Sequence, residues 1–530
     1  MRRWTNAWKN NMKKLFTTLL LGSALFTHAQ VGNDSVWVEH ATGDIMHRTV
    51  LSPTDSVVTL KPKPLLGLAE TVLLNTAVLS WDYFFFDNRE WAKVTSKSIK
   101  NNLSSYWEWD DDSFSGNLFS HTYHGSMFFN TARENGMSYG WSLLYPLFGS
   151  AMWEIVCENN KPAKNDMLST GVGGSAIGEV THRAADLVFD DSKRGGARVL
   201  REVAGSVLNP IRGLQRLISG EMFRVNPNSK GKHEESQPYH FQIGLGNRYI
   251  AELGNPHPEF GRKYYGNLPC LELFLDYGDH FNKLDGGKSH PFDQFEVYNL
   301  INLKSENPTF GALEISGRIF SSQHTAKGGW MLDWGFYQNY KYVEDYWKNG
   351  ILRTGNLPAI SESVSFGGAL FARHEGKKVT IDNNFQLSAV PMGSSSADYY
   401  CSEKLMGIDK LPDRDILGKR KYNFGTGFSI REHFCAHINQ KITLGDRLYF
   451  MQLYILSGYD PNNVTFHHTV MGDKGNQSIL TNTIYAHWNI NQRVKLNVEW
   501  MYYLRAGHYD YYENLTAHSH ELKTTLSYSI

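Results

Sequence analysis

Between Val494 and Ile530 the chain alternates residue by residue between oily and wet side chains, and that period of two limits what it can fold into. Val494, Leu496, Val498, Trp500, Tyr502, Leu504 and Ala506 interleave with Lys495, Asn497, Glu499, Met501, Tyr503 and Arg505. After a polar loop, Leu522, Thr524, Leu526, Tyr528 and Ile530 interleave with Glu521, Lys523, Thr525, Ser527 and Ser529. Successive side chains on a strand point to opposite faces, so this hairpin has one apolar face and one carrying fixed charge. A soluble sandwich shares that pattern, but length argues for lipid: about a dozen residues at ~3.3 Å each, tilted ~45°, cross a hydrocarbon core of ~30 Å. The chain also stops on this strand, as barrels do whose last strand is read by the outer-membrane insertion machinery. Ile530 stands where Phe or Trp is usual.

Composition narrows the classes. Lys+Arg and Asp+Glu are both 53, so no global field attracts nucleic acid. Aromatics at 13% and 47 glycines suit a β-rich chain with an interfacial aromatic belt. The negative mean hydropathy excludes a polytopic helical membrane protein. Cysteines fall at 157, 270, 401 and 435 with no CxxC pairing, so a disulfide has no support.

The first thirty residues read as an export address. Lys13 and Lys14 precede an apolar run from Leu15 to Phe26, and Thr27-His28-Ala29-Gln30 carries small residues where a signal peptidase reads. Cleavage after Ala29 is expected, with Met12 an alternative start. No cysteine follows the cut, which argues against a lipoprotein anchor. The expected location is the outer membrane of a Gram-negative cell.

Residues 30–64 lack a sustained period and read as an extended periplasmic leader. From Leu65 to about Gly220 the period becomes helical, with helices expected at Leu65–Phe86, Glu90–Leu103, Ser120–Glu134, Tyr139–Glu158, Ala176–Phe189 and Gly196–Ile218. The first is apolar enough to pass for a membrane span, but Glu70, Asn75 and Asp82 favour a buried helix. Residues 65–225 then form a helical domain that plugs a barrel or caps its periplasmic mouth. A polar linker over 226–237 separates it from strand and turn. About twelve strands follow over 238–530, an even number compatible with a closed antiparallel transmembrane barrel, and the fold class is α+β membrane protein. Long insertions such as Ser394–Arg420 would be extracellular loops.

On that register Glu272, Asp276, Glu314, Arg318, Asp333, Arg373, Arg431, His433, Glu499 and Arg505 face the lumen. They either neutralise one another around a plug or line a solute pathway, and their mixed signs name neither an anion nor a cation.

Chemistry concentrates in the helical half. His121 and His124 are three apart and share a helix face. Glu179 and His182 have the Glu-x-x-His spacing of helix-bundle metal sites, though a di-iron bundle uses two such motifs. Glu154 follows Trp153, where a carboxylate can be desolvated and its pKa raised. These five are candidates for a metal site or an acid/base pair, set against a reading in which they are polar groups bonded inside a helix bundle. Ser126 and Ser150 lack a nucleophile elbow. The glycine-rich Thr170–Gly178 lacks the Lys-Ser/Thr ending of a phosphate loop and reads as close packing. The acidic loop Trp107–Asp112 reads as exposed, with a divalent cation as the sharper alternative. No cofactor can be named.

His124-Gly125, Asn130-Thr131-Ala132-Arg133-Glu134-Asn135-Gly136, Gly149-Ser150 with Trp153-Glu154, Asn165-Asp166 and Gly178-Glu179 resemble the signature of an uncharacterised family, domain of unknown function 3943. The resemblance implies an exported helical segment joined to a β-rich C-terminal half and brings no activity. Three expectations follow: a plugged or gated barrel or structural envelope protein; an envelope lipid- or glycan-modifying enzyme using the His/Glu candidates; or a soluble secreted binding protein, should the strands stack as a sandwich. The expected partners are outer-membrane lipid, the insertion machinery and a small-molecule or lipid ligand.

Overall fold

In the computed structural model the described residues are 35–39, 45–49 and 60–530, apart from 86–89, 111, 228–229, 234–236, 255–264, 282–288, 305–309, 345–358, 399–421, 457 and 459–471. The export address, and most of the long insertion 394–420, lie outside them.

The alternation becomes twelve antiparallel strands: β3 Tyr239–Gly254, β4 Tyr265–Tyr277, β5 Phe295–Asn302, β6 Phe310–Thr325, β7 Trp330–Glu344, β8 Ala359–Glu375, β9 Val379–Ser396, β10 Tyr422–Ile438, β11 Ile442–Ile455, β12 Gly475–Asn489, β13 Val494–Tyr509 and β14 Leu515–Ser529. Each pairs with its sequence neighbour, and β3 pairs with both β4 and β14, which closes the cylinder. Closure leaves these twelve strands without an edge, as lipid requires. A short hairpin, β1 Ser35–Glu39 with β2 Ile45–Thr49, meets the start of β3, a pairing that the absence of a period did not suggest.

The oily face of the closing hairpin points outward. Trp500 and Leu522 are exposed while Glu499, Arg505 and Lys523 are buried on the other face. Links of three or four residues, 376–378, 439–441 and 490–493, lie at the end where β3 begins and β14 stops. At the other end the strand ends Glu344 and Ala359, Ser396 and Tyr422, and Ile455 and Gly475 are joined by longer stretches of chain. At the short-link end the β4–β5 segment turns in: Phe281 packs with Tyr337, Ala369 and Phe371 on the inner wall, and the His280 ring stacks on Phe371 at 3.6 Å.

Upstream lie the helices α1 Pro64–Phe85, α2 Ser96–Ser104, α3 His121–Arg133, α4 Tyr139–Ser142, α5 Leu144–Met152, α6 Lys164–Leu168, α7 Gly174–Val188, α8 Gly195–Leu208 and α9 Pro210–Ser219. Asn209-Pro210 breaks the pattern between α8 and α9, because Pro cannot continue a helix but suits the first position of the next. The Asn209 side chain caps α9 by accepting from Arg212 N at 3.1 Å. Three π-helical turns, Gly116–Ser120, Trp153–Cys157 and Ser169–Gly173, interrupt the bundle. α1 corrects the expectation of a buried helix: among its residues only Gly67, Thr71 and Asn75 are buried.

Burial along the strands shows where the helices dock. On β7, exposed Trp334 and Phe336 alternate with buried neighbours, yet from Tyr337 to Tyr342 every residue is buried. The same double burial holds for residues 359–365 of β8 and 422–425 of β10. One face there meets the lumen; the other, which carries Trp334 and Phe336 further along, meets the helices. Gln338 donates to Ser175 at 2.8 Å, Tyr340 to the Leu118 carbonyl at 2.6 Å, and Trp109 stacks on Phe424 at 5.2 Å. A shared core runs from Phe114, Leu118, Phe129 and Val180 into Ile315, Tyr340, Tyr342, Val364 and Met392 of the sheet.

The glycine-rich run makes this approach close. A Cβ on Gly173 would sit 2.3 Å from the Ser363 carbonyl of β8, and one on Gly125 would sit 1.9 Å from that of Thr170.

Candidate functional site

Among the described residues of the helical segment, two clusters of titratable groups take in the sequence candidates. In the first, the π-turn Gly116–Ser120 leads into α3 and delivers His121, α6 supplies Asp166, and Asp110 comes from the acidic loop. His121 Nδ1 is 3.8 Å from Asp166 Oδ1, and one ligand-type atom from each of Asp110, His121 and Asp166 lies within 4.8 Å of the others. Asn165 braces both carboxylate-bearing residues: its Nδ2 donates to Asp166 at 2.7 Å and its Oδ1 accepts from Asp110 N at 2.8 Å. Glu154, in the second π-turn, accepts from Ala163 N at 2.7 Å.

Burial pushes the Asp166 carboxyl well above the usual range, and Asp110 and Glu154 add like-charge repulsion. Glu154 is raised for the same reason, by burial and then by Glu158. The histidines move the other way. Burial lowers His121 and takes His124 down to about 3, helped by His121. His124 packs on Phe128 and Trp153 at ring separations of 4.4 and 5.5 Å, and its buried Nε2 has no hydrogen-bond partner. Burial thus disfavours the charged form of Asp166, Glu154, His121 and His124 alike. A divalent cation would take carboxylates and imidazole deprotonated, so its affinity there would depend on pH.

The second cluster divides the Glu-x-x-His pair between partners. Glu179 is held by Arg133 at 2.7 Å and by Arg183 at 2.9 Å. His182 Nδ1 instead meets Glu134 at 2.7 Å, whose other oxygen lies 3.1 Å from His233. Asn209 donates to Glu134 at 2.6 Å, and Arg212 joins the network to Asp186 at 2.5 Å. Burial alone would raise Glu134, yet His182, His233 and Arg212 hold it well below the ordinary value. Glu134, His182 and His233 have metal-ligand spacing, but Arg212 already balances the charge. So His121 shares a cluster with Asp166, while Glu179 and His182 serve separate ion-pair networks.

Asp110, Asp166, Glu134 and His233 were absent from the sequence candidates. Three of them stood inside runs already noted, the acidic loop and the family signature; His233, in the polar linker, gave no signal. Ser126 and Ser150 donate to the carbonyls of Tyr123 and Asp166, which leaves no activated hydroxyl at either.

Inside the cylinder, Lys523 meets Glu272 at 2.5 Å, Arg447 meets Glu499 at 2.5 Å, Lys341 meets Glu314 at 2.6 Å and Arg431 meets Glu362 at 2.6 Å. Arg318 bridges Asp293 and Asp333, Arg373 pairs with Asp382 at 2.7 Å, Arg505 with Asp398, and His433 bonds the Tyr485 hydroxyl at 2.6 Å. Asp276 lies opposite His240 and Glu296 on neighbouring strands. Among the described residues Cys157, Cys270 and Cys435 are buried and form no disulfide with one another.

A closed twelve-strand antiparallel cylinder, apolar outside and charged inside, defines an outer-membrane β-barrel protein carrying N-terminal helices. Residues 106–211 match the model of the family described as Domain of unknown function (DUF3943), the stretch that holds both clusters apart from Arg212 and His233. No curated protein matches the sequence. Among solved structures, the NanC porin is 10% identical, covering 53% of this chain and 98% of its own, with a TM-score of 0.25. A COG4313 outer membrane channel from Pseudomonas putida F1 is likewise 10% identical, over 55% of this chain and 95% of its own, with a TM-score of 0.27. The KdgM porin, 7% identical, covers 54% and 99%, with a TM-score of 0.21.

Proposed function

We propose that this outer-membrane barrel is plugged by its own side chains and serves the envelope as a structural carrier for the helical segment. The observation that carries this reading is the network of ion pairs lining the lumen, from Lys523–Glu272 through Lys341–Glu314 to Arg431–Glu362, with Lys341 also over the Tyr449 ring of β11 at 4.5 Å and Phe281 turned in at one end. A charge in a low-dielectric interior is strongly destabilised unless paired, so these groups hold one another in place rather than offering themselves to a passing solute. Planar-bilayer recording of the purified full chain tests it. No conductance is expected; steady ohmic current would overturn the reading in favour of a pore.

A second reading, acid/base or metal-assisted chemistry on an envelope lipid or glycan, is favoured by the Asp110–His121–Asp166 cluster. One imidazole with two carboxylates suits a cation such as Mn²⁺ or Zn²⁺, which would polarise a phosphoryl or carbonyl oxygen. Metal analysis of the purified protein tests the metal form of this reading, which needs at least one equivalent bound.

A further inference from the structure

α1 is built inside out. Its buried positions, Gly67, Thr71 and Asn75, recur every fourth residue and are small or polar. Gly67 lies against the Thr131 carbonyl, Thr71 bonds Thr131 at 2.7 Å, and Asn75 donates to the Gly149 carbonyl at 3.0 Å. The outward side carries Leu65, Leu66, Leu73, Trp81, Phe84 and Phe85, with Leu73 66% exposed. A helix in water turns its leucines inward; one in lipid packs through small residues and hydrogen bonds and turns its leucines out. At ~1.5 Å per residue its 22 residues measure about 33 Å, against a hydrocarbon core of ~30 Å.

The pattern extends beyond α1. Leu144 and Phe148 on α5, and Leu214, Leu217 and Ile218 on α9, are also exposed. Gln215 of α9 reaches Glu70 of α1 at 2.9 Å, so the exposed leucines of α9 lie on a helix tied directly to α1. Leu118, Phe129 and Val180 of the bundle dock on the outer strand face that further along carries Trp334 and Phe336, the face a barrel of this class presents to acyl chains.

We propose that the helical segment sits beside the barrel at the level of the bilayer, with the outward face of α1 in contact with lipid acyl chains. Continuity with the barrel's own lipid-facing belt names the occupant. The inverted polarity of α1 supplies the reason that water is not the solvent there.

The test uses the full chain in vesicles of phosphatidylethanolamine and phosphatidylglycerol, with a nitroxide on Leu73→Cys. Cys401 is replaced by Ser, the three buried thiols are kept, and the same protein without the new cysteine is the blank. Leu387→Cys on the barrel belt and Lys97→Cys on the exposed side of α2 are the references, and heat-modifiable gel mobility confirms folding of each. The nitroxide at 73 is expected to relax with oxygen and to be shielded from a water-soluble nickel chelate by at least fivefold relative to position 97, matching position 387. Nickel access equal to that at position 97 would overturn the proposal. So would shielding from both reagents, since that would place protein, either a second copy or another part of this chain, over α1.

Discussion

The Lys523 ammonium lies 2.5 Å from the Glu272 carboxylate, bonding β14 to β4 across the strand between them, and the same ammonium is 3.1 Å from Glu499. One cation therefore lies between two buried carboxylates, with the Tyr298 hydroxyl donating to Glu272 at 2.6 Å. Lys523→Met strands Glu272, while Glu499 keeps Arg447 at 2.5 Å. The expected loss is about 3–5 kcal/mol, the usual effect of removing one member of a buried pair. Urea unfolding of the barrel in vesicles measures it, and Lys523→Met combined with Glu272→Gln should recover part of the loss.

Gly173 controls how closely the helices approach the wall. Gly173→Ala drives a Cβ into the Ser363 carbonyl, whereas Gly140→Ala meets nothing within 4 Å. Overpacking of this kind costs about 1–3 kcal/mol. Limited proteolysis should cut the Gly173→Ala protein within 221–238 faster than the parent, and leave the Gly140→Ala protein unchanged.

The first cluster imprints a pH dependence with two limbs. His124, held near 3, is neutral when folded, but its unfolded counterpart binds a proton below about 6.5, so stability falls as pH drops through that window, by at most about 1.4 kcal/mol per unit. Glu154 is raised, so the folded state keeps a proton that the unfolded state releases above about 4.3, and stability falls as pH rises from there. Glu154→Gln should therefore stabilise the protein at pH 7 and have little effect near pH 4. His124→Phe should flatten the acid limb. Thermal melts across pH 4–8 read both.

If the Asp110–His121–Asp166 cluster takes a cation, binding should release protons, because burial raises the Asp166 carboxyl and a metal takes it deprotonated. Zn²⁺ titrated into chelator-treated protein should give a calorimetric heat that scales with the ionisation enthalpy of the buffer. Asp166→Asn and His121→Ala should each weaken binding by tenfold or more, while His182→Gln leaves it unchanged. Identical isotherms for all four proteins would remove metal chemistry from this cluster.

The barrel was legible because lipid outside and charge inside impose a strict alternation, and Val494–Ala506 states it without interruption. Twelve strands fill the stretch where the alternation predicts them, and the alternation fades where both faces become buried, as at Tyr337–Tyr342. The bulge at Ile319, between Arg318 and Phe320, shifts which residues of β6 face outward, and no local pattern announces it. The helical segment was legible as helices but not as packing. α1 looked like a core helix because apolar residues are ordinarily read as inward, and only the tertiary contacts of Gly67, Thr71 and Asn75 reverse that reading. Glu179 and His182 looked like partners because spacing alone does not reveal that Arg133 and Glu134, from another helix, separate them.

Because β7, β8 and β10 are sheathed by helix over part of their length, the cylinder has a compass bearing that a bare barrel lacks. With the helices at the level of the bilayer, as proposed, neighbours would meet a smooth wall along β11 to β14 and a flank of helices toward β8. Contacts with other envelope components would then be steered to one side, and turning the molecule about its own axis would change what it offers them.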